Sequence, residues 1–94
     1  MTWEIAILKT YELLGGCAEN RRIHENIERF IKLTSKHHAR EMSSGRAKYK
    51  HYVTSHIAHL YGARYLRRIS PGHYCLTQRG RNRLEATNIG NAAS

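Results

Sequence analysis

Residues 64–80, RYLRRISPGHYCLTQRG, constrain the fold more than any other stretch of the chain. Two short β-prone pieces, Tyr65–Ile69 and Tyr74–Thr77, flank Ser70-Pro71-Gly72-His73, which is the pattern of a β-hairpin. A hairpin alone is marginal in water, so this one needs support from the rest of the chain. Arginines at 64, 67, 68 and 79 make it heavily charged for an element with so little core of its own. Pro71-Gly72 suits a type II turn, which fits poorly into a tight two-residue hairpin, and a looser tip loop is expected. Arg67 and Arg68 are strand neighbours, so their side chains leave on opposite faces.

The support comes from helical segments upstream. Thr2 can cap a helix whose apolar residues Trp3, Ile7, Leu8, Tyr11 and Leu14 follow the three-four spacing, and Gly15-Gly16 ends it. Residues 17–19 read as a short extended link. Asn20 can cap a second helix carrying Ile23, Ile27, Phe30 and Ile31 on one stripe. Thr34–Ser44 is polar and ambiguous, one helical turn followed by a loop. A third helix starts near Arg46 or Ala47, with Tyr49, Tyr52, Val53, His56, Ile57 and Leu60 on its inner face. Gly62 is its expected stop. After the hairpin, Thr77 caps a short last helix with Leu84 facing inward. One domain is expected over 1–87, and "NIGNAAS", 88–94, reads as a flexible tail.

Helix, helix, helix, hairpin, short helix is the order of a winged helix-turn-helix. Such a fold is mainly α, with a three-helix core and a two-stranded wing whose tip projects beyond it. The third helix of that fold enters the DNA major groove and the wing touches the flanking backbone. Here the outer face of the third helix offers Lys48, Lys50, His51, Thr54, Ser55, Ala58 and His59, basic and hydrogen-bonding without a carboxylate.

Charge is distributed to match. The chain has a net charge of +9 on 94 residues. Residues 1–42 hold seven Lys/Arg against six Glu, while residues 43–94 hold nine against Glu85 alone. A basic half of this kind points to a polyanion partner. Arg46, Lys48, Lys50, His51, Thr54, Ser55 and His59 are therefore expected in the major groove. Arg67, Arg68 and His73 are expected as wing contacts, and Arg64, Arg79, Arg81 and Arg83 as phosphate contacts. Phosphate contacts fix register, whereas groove-facing side chains read sequence.

The stretches SGRAKYKHYVTSHIAHLYGARYL and YCLTQRGRNRL resemble the N-terminal winged-helix domain of Mrr-type restriction endonucleases. In that family a Ser-Gly-Arg loop leads into the third helix, and the hairpin ends in Tyr-x-Leu-Thr-x-x-Gly, matched by Tyr74, Leu76, Thr77 and Gly80. The threonine caps the next helix, and the glycine permits close packing against the wing. The resemblance covers roughly residues 3–85. Within these 94 residues no nuclease domain follows, so the resemblance implies DNA recognition rather than cleavage.

The expected function is double-stranded DNA binding, as a regulator or an accessory recognition subunit. A homodimer is compatible with it. A structured-RNA or ribosome-associated module is the alternative, and a protein-interaction domain with an acidic partner is another, because fold alone does not choose among them. Enzymatic activity is not expected: the chain has no Asp, so the paired acids of a metal-dependent nuclease are missing. His37, His38, His56 and His59 lack the cysteine or carboxylate partners of a zinc site, and no metal or cofactor is expected. The tyrosines 49, 52, 61, 65 and 74 could stack on bases, although packing accounts for them better. No apolar run approaches the ~18 residues of a membrane helix, and Glu4 and Lys9 interrupt the only apolar N-terminal patch. A cytoplasmic location is expected, on the nucleoid if the source is bacterial. Cys17 and Cys75, far apart in sequence, read as two reduced thiols.

Overall fold

The α1 helix, Trp3–Leu13, buries Ile7, Leu8 and Tyr11 completely, the expected three-four stripe. The computed structural model describes residues 3–31 and 48–93, with side chains over 3–31 and 49–87. The proposed cap Thr2, the ambiguous segment 34–44 and the expected start of the third helix at Arg46 or Ala47 lie outside the described residues. Gly15 closes α1 at φ +91. Its N–H donates to the Glu12 carbonyl at 3.2 Å, and that of Gly16 to the Tyr11 carbonyl at 2.7 Å. These are the paired bonds of a Schellman close, which needs a left-handed residue and favours glycine.

The Gly16 carbonyl then accepts the Leu76 N–H at 2.7 Å, which starts β1, Cys17–Glu19. The expected link is thus a strand. It pairs antiparallel with β3, His73–Leu76, which pairs in turn with β2, Leu66–Ser70. The sheet is three-stranded, in the order β1-β3-β2.

α2 spans Asn20–Asn26 and tightens into a 3-10 turn at Ile27–Arg29. Ile23 and Ile27 are buried, and Phe30 and Ile31 pack at the core edge. Asn20 is not the cap: Glu19 occupies that position, and no side chain caps the helix. The Asn20 N–H is instead taken by the Gly72 carbonyl at 2.8 Å, continuing the β1–β3 ladder.

α3, Lys48–Gly62, buries Val53, Ile57 and Leu60. It ends at Gly62 as expected, but Gly62 is not the left-handed residue of the close. Arg64 takes the left-handed conformation, φ +67, with Tyr65 N–H on the Leu60 carbonyl at 2.9 Å and Arg64 N–H on that of Tyr61 at 3.0 Å. A left-handed non-glycine residue costs roughly 1–2 kcal/mol, and Thr77 offsets part of this by donating its hydroxyl to the Arg64 carbonyl at 2.6 Å.

The hairpin tip also differs from the looser loop expected. Ser70 pairs with His73 across Pro71-Gly72, with Gly72 at φ +72, so the turn is tight and has the residues of type II. Between Arg68 and Ser70 the register shifts, leaving Ile69 as the extra residue of a bulge. A bulge increases local twist, which lets a poorly matched turn close a two-residue hairpin. Because the Asn20 N–H holds Gly72, the hairpin is tied to the helical body as far as its tip.

α4 spans Gln78–Ala93, longer than the short helix expected and helical through 88–93. Thr77 caps it, its hydroxyl accepting the Gly80 N–H at 3.1 Å. Leu84 joins a single core with α1, α2, α3, Leu66 and Leu76. Tyr11 anchors the centre, and its hydroxyl has no partner among the described residues, so burial pushes its ionisation far up. The protein is therefore mainly helical with a small three-stranded antiparallel sheet. No described helix is long and apolar enough to cross a membrane.

Cys17 and Cys75 correct the expectation of free thiols. The sheet order sets them directly opposite each other, and they form a disulfide across 58 residues of sequence.

Candidate nucleic-acid interface

The buried stripe of α3 fixes which of its residues face outward. His51, Ser55, Ala58 and His59 are exposed, while Lys50 and Thr54 lie half-buried beside α2. α3 contains no acidic residue, and its outward stripe is short-chained and hydrogen-bonding. Lys48 begins the helix, and Arg46 lies outside the described residues.

Lys50 and Thr54 border a cleft of about 450 Å³ between α2 and α3, lined also by Asn20, Arg21, His24, Glu25 and Tyr49. The Thr54 hydroxyl donates to the Lys50 carbonyl at 2.8 Å, and its oxygen lies 3.4 Å from His24 Nε2. Thr54 is thus turned toward α2 rather than outward. Burial and the Glu28 charge raise the ionisation of Tyr49. His24 and Arg21 carry no sequence signal for this site, because only the packing of α2 on α3 brings them beside Lys50.

His59 sits at the other edge of the stripe. Its Nδ1 lies 2.6 Å from Glu4 Oε2, which is also 3.5 Å from His56 Nδ1. Arg83 donates to Glu4 Oε1 at 3.2 Å. Glu4 therefore joins the starts of α1 and α4 to the last turns of α3. Partial burial works to raise this carboxyl, but hydrogen bonds from Arg83 and His59 outweigh it and hold it below the usual value.

The remaining arginines divide by what they touch. Arg79 donates to the Ala63 carbonyl at 3.1 Å, satisfying the end of α3. Its guanidinium lies 4.7 Å from the centre of the Tyr65 ring, and that of Arg83 lies 4.8 Å away. Both lie over that ring, so they brace the α3–β2 corner. Arg81 leaves α4 on another side, against Gly16.

On the hairpin, cross-strand partners share a face. Arg68 pairs with Tyr74 and Leu66 with Leu76, so Arg68 extends the face that packs on the helices. Tyr74 there meets Tyr61 of α3, with ring centres 5.6 Å apart. Arg67 pairs with Cys75, and His73 with Glu19, placing both on the opposite face with the disulfide. Arg64 is exposed at the corner between α3 and β2.

The structure leaves His51 and Ser55 exposed on α3 and Lys50 at the rim of the α2–α3 cleft, with Arg64 and Arg68 exposed at the corner and on the strand that follow the helix. Thr54 is half-turned into the cleft, His59, Arg79 and Arg83 are engaged in internal contacts, and Arg67, His73 and Arg81 lie elsewhere. Comparison with protein-family models, with curated proteins and with solved structures finds no match to the chain.

Proposed function

We propose that the chain is a winged helix-turn-helix protein that binds double-stranded DNA, acting in the cytoplasm as a regulator or accessory recognition subunit. In this reading α2 and α3 form the helix-turn-helix, and β2–β3 form the wing. His51 and Ser55 meet base edges in the major groove, while Lys50, Arg64 and Arg68 meet phosphates.

The observation that carries the reading is the outer stripe of α3. Its own residues are exposed at His51, Ser55 and Ala58 and include no carboxylate, Glu4 and Glu25 reaching it only at its two edges, beside His59 and in the Lys50 cleft. The small side chains of Ser55 and Ala58 allow the helix to approach a groove closely, and His51 and Ser55 bring hydrogen-bonding groups to it. Arginine beside them supplies the charge that sequence-independent affinity requires.

Selection from random duplexes, with structured RNA and an acidic protein as competitors, tests the proposal. One enriched motif is expected. Joint replacement His51→Ala with Ser55→Ala should then cost about 1–3 kcal/mol on that motif, the range of a lost base contact. Arg68→Ala should weaken all duplexes alike. Preferential capture of RNA or of the acidic protein would instead assign the surface to another partner.

A further inference from the structure

We propose that Cys17–Cys75 is a site of thiol–disulfide exchange through which a dithiol reductant releases the hairpin from β1. Three observations converge on it. The bond crosses directly between paired strands on the outward face of the sheet, joining the edge strand β1 to the hairpin strand β3. Its two ends differ in access: Cys17 is exposed, whereas Cys75 is only 3% exposed. Positive charge flanks it, because Arg67 lies directly opposite Cys75 on the same face and the Arg81 guanidinium rests against Gly16, next to Cys17. Glu19, two residues from Cys17, has Arg21 at 4.0 Å.

The asymmetry defines the chemistry. An incoming thiolate reaches Cys17 Sγ, forming a mixed disulfide as the Sγ–Sγ bond breaks. The electron pair leaves on Cys75 Sγ, which then takes a proton from solvent. The partner's second thiol displaces Cys17 and closes the partner's own disulfide, and Cys17 takes the second proton. The partner is oxidised by two electrons and the protein reduced by two. A neighbouring guanidinium stabilises thiolate, and a better leaving thiolate departs faster, so Arg67 accelerates the first step.

The consequence for function rests on the DNA-binding reading above. A chain that meets DNA in a reducing compartment meets reductant there as well, and disulfides in that setting are more often transient than structural. With the bond open, β1 holds the hairpin through a three-residue ladder flanked by the Leu76–Gly16 and Asn20–Gly72 hydrogen bonds. A looser wing positions Arg68 less well.

The test uses the oxidised full-length chain and glutathione as a monothiol probe, quenched with iodoacetamide and mapped by mass spectrometry. The expected first product carries glutathione on Cys17 and carbamidomethyl on Cys75. Arg67→Gln should slow its formation several-fold, and Arg67→Lys should largely restore the rate. Glutathione on Cys75, no exchange in the native chain when the urea-unfolded chain exchanges readily, or equal rates for Arg67→Gln and the parent would each overturn the proposal. Duplex affinity is then compared before and after reduction by dithiothreitol, with a several-fold loss expected. If neither form binds duplex, the DNA reading fails while the exchange chemistry stands. If both bind equally, the wing-release step fails.

Discussion

His59 Nδ1 lies 2.6 Å from Glu4 Oε2 across 55 residues of sequence. Arg83 takes the other oxygen of the same carboxylate at 3.2 Å. One acid at the start of α1 thus ties α3 and α4 together, and it withdraws Arg83 and His59 from the surface available to a ligand.

Removing that acid should cost stability in a pH-dependent way. The Glu4 carboxyl is held below its usual 4.5, so the folded state prefers it ionised. Its contribution is present in full above about 4.5 and is lost as pH falls through the lower folded value. Glu4→Gln should lower unfolding free energy by about 1 kcal/mol at neutral pH, because the partners are partly solvated. Urea titrations between pH 7 and pH 3 should show the parent and variant converging below about 4.5. A constant gap down to pH 3 would contradict the hub.

Arg64 should show stability and binding pulling apart. It holds φ +67 at a helix close where glycine is the less costly residue. Arg64→Gly should raise stability by up to about 1 kcal/mol by relieving that backbone. The same change removes a cation at the corner between α3 and β2, so duplex affinity should fall. Thermal melts and binding titrations on the one variant measure both, and a gain in both would mean that the arginine contacts no ligand.

Gly80 is a stricter position. A Cβ there would run into the Tyr65 carbonyl oxygen and crowd Leu76, so the start of α4 could no longer seat against the α3–β2 corner. Overpacking of this kind costs about 1–3 kcal/mol. Gly80→Ala should therefore be destabilised despite the higher helix propensity of alanine, whereas Gly62→Ala, with open space at its Cβ position, should be neutral or better. Chemical denaturation of the pair decides it.

What the sequence made legible is what depends on neighbours along the chain. The α1 stripe and its Gly15-Gly16 close follow from periodicity and from the need for a left-handed residue. Thr77 follows from local capping, and Val53, Ile57 and Leu60 of α3 from three-four spacing, whereas Tyr52, expected on the same inner face, is exposed. Features set by tertiary placement were not legible in the same way. Gly62 ends α3 as expected, yet the left-handed turn falls two residues on, at Arg64, where Tyr65 N–H reaches the Leu60 carbonyl and Arg79 and Arg83 lie over the Tyr65 ring. The tight tip required the Ile69 bulge, which no single residue announces. Cys17 and Cys75 read as unrelated because only the β1-β3-β2 order sets them opposite each other. The candidate interface was legible as a charge imbalance, but its membership was not: His59 and Arg83 look as available as Lys50 until Glu4 is seen between them.

The most direct test of duplex binding is the dependence of affinity on salt. Among the described side chains the cations left for phosphate are Lys50, Arg64 and Arg68, and Lys48 begins the helix that holds Lys50. About three to four contacts correspond to a slope of about −3 to −4 in the logarithm of affinity against the logarithm of salt concentration. We expect that slope for the parent protein on duplex DNA, and a slope shallower by about one for Arg68→Ala. A near-flat titration, with the protein folded throughout, would contradict a phosphate-facing surface on α3 and the hairpin.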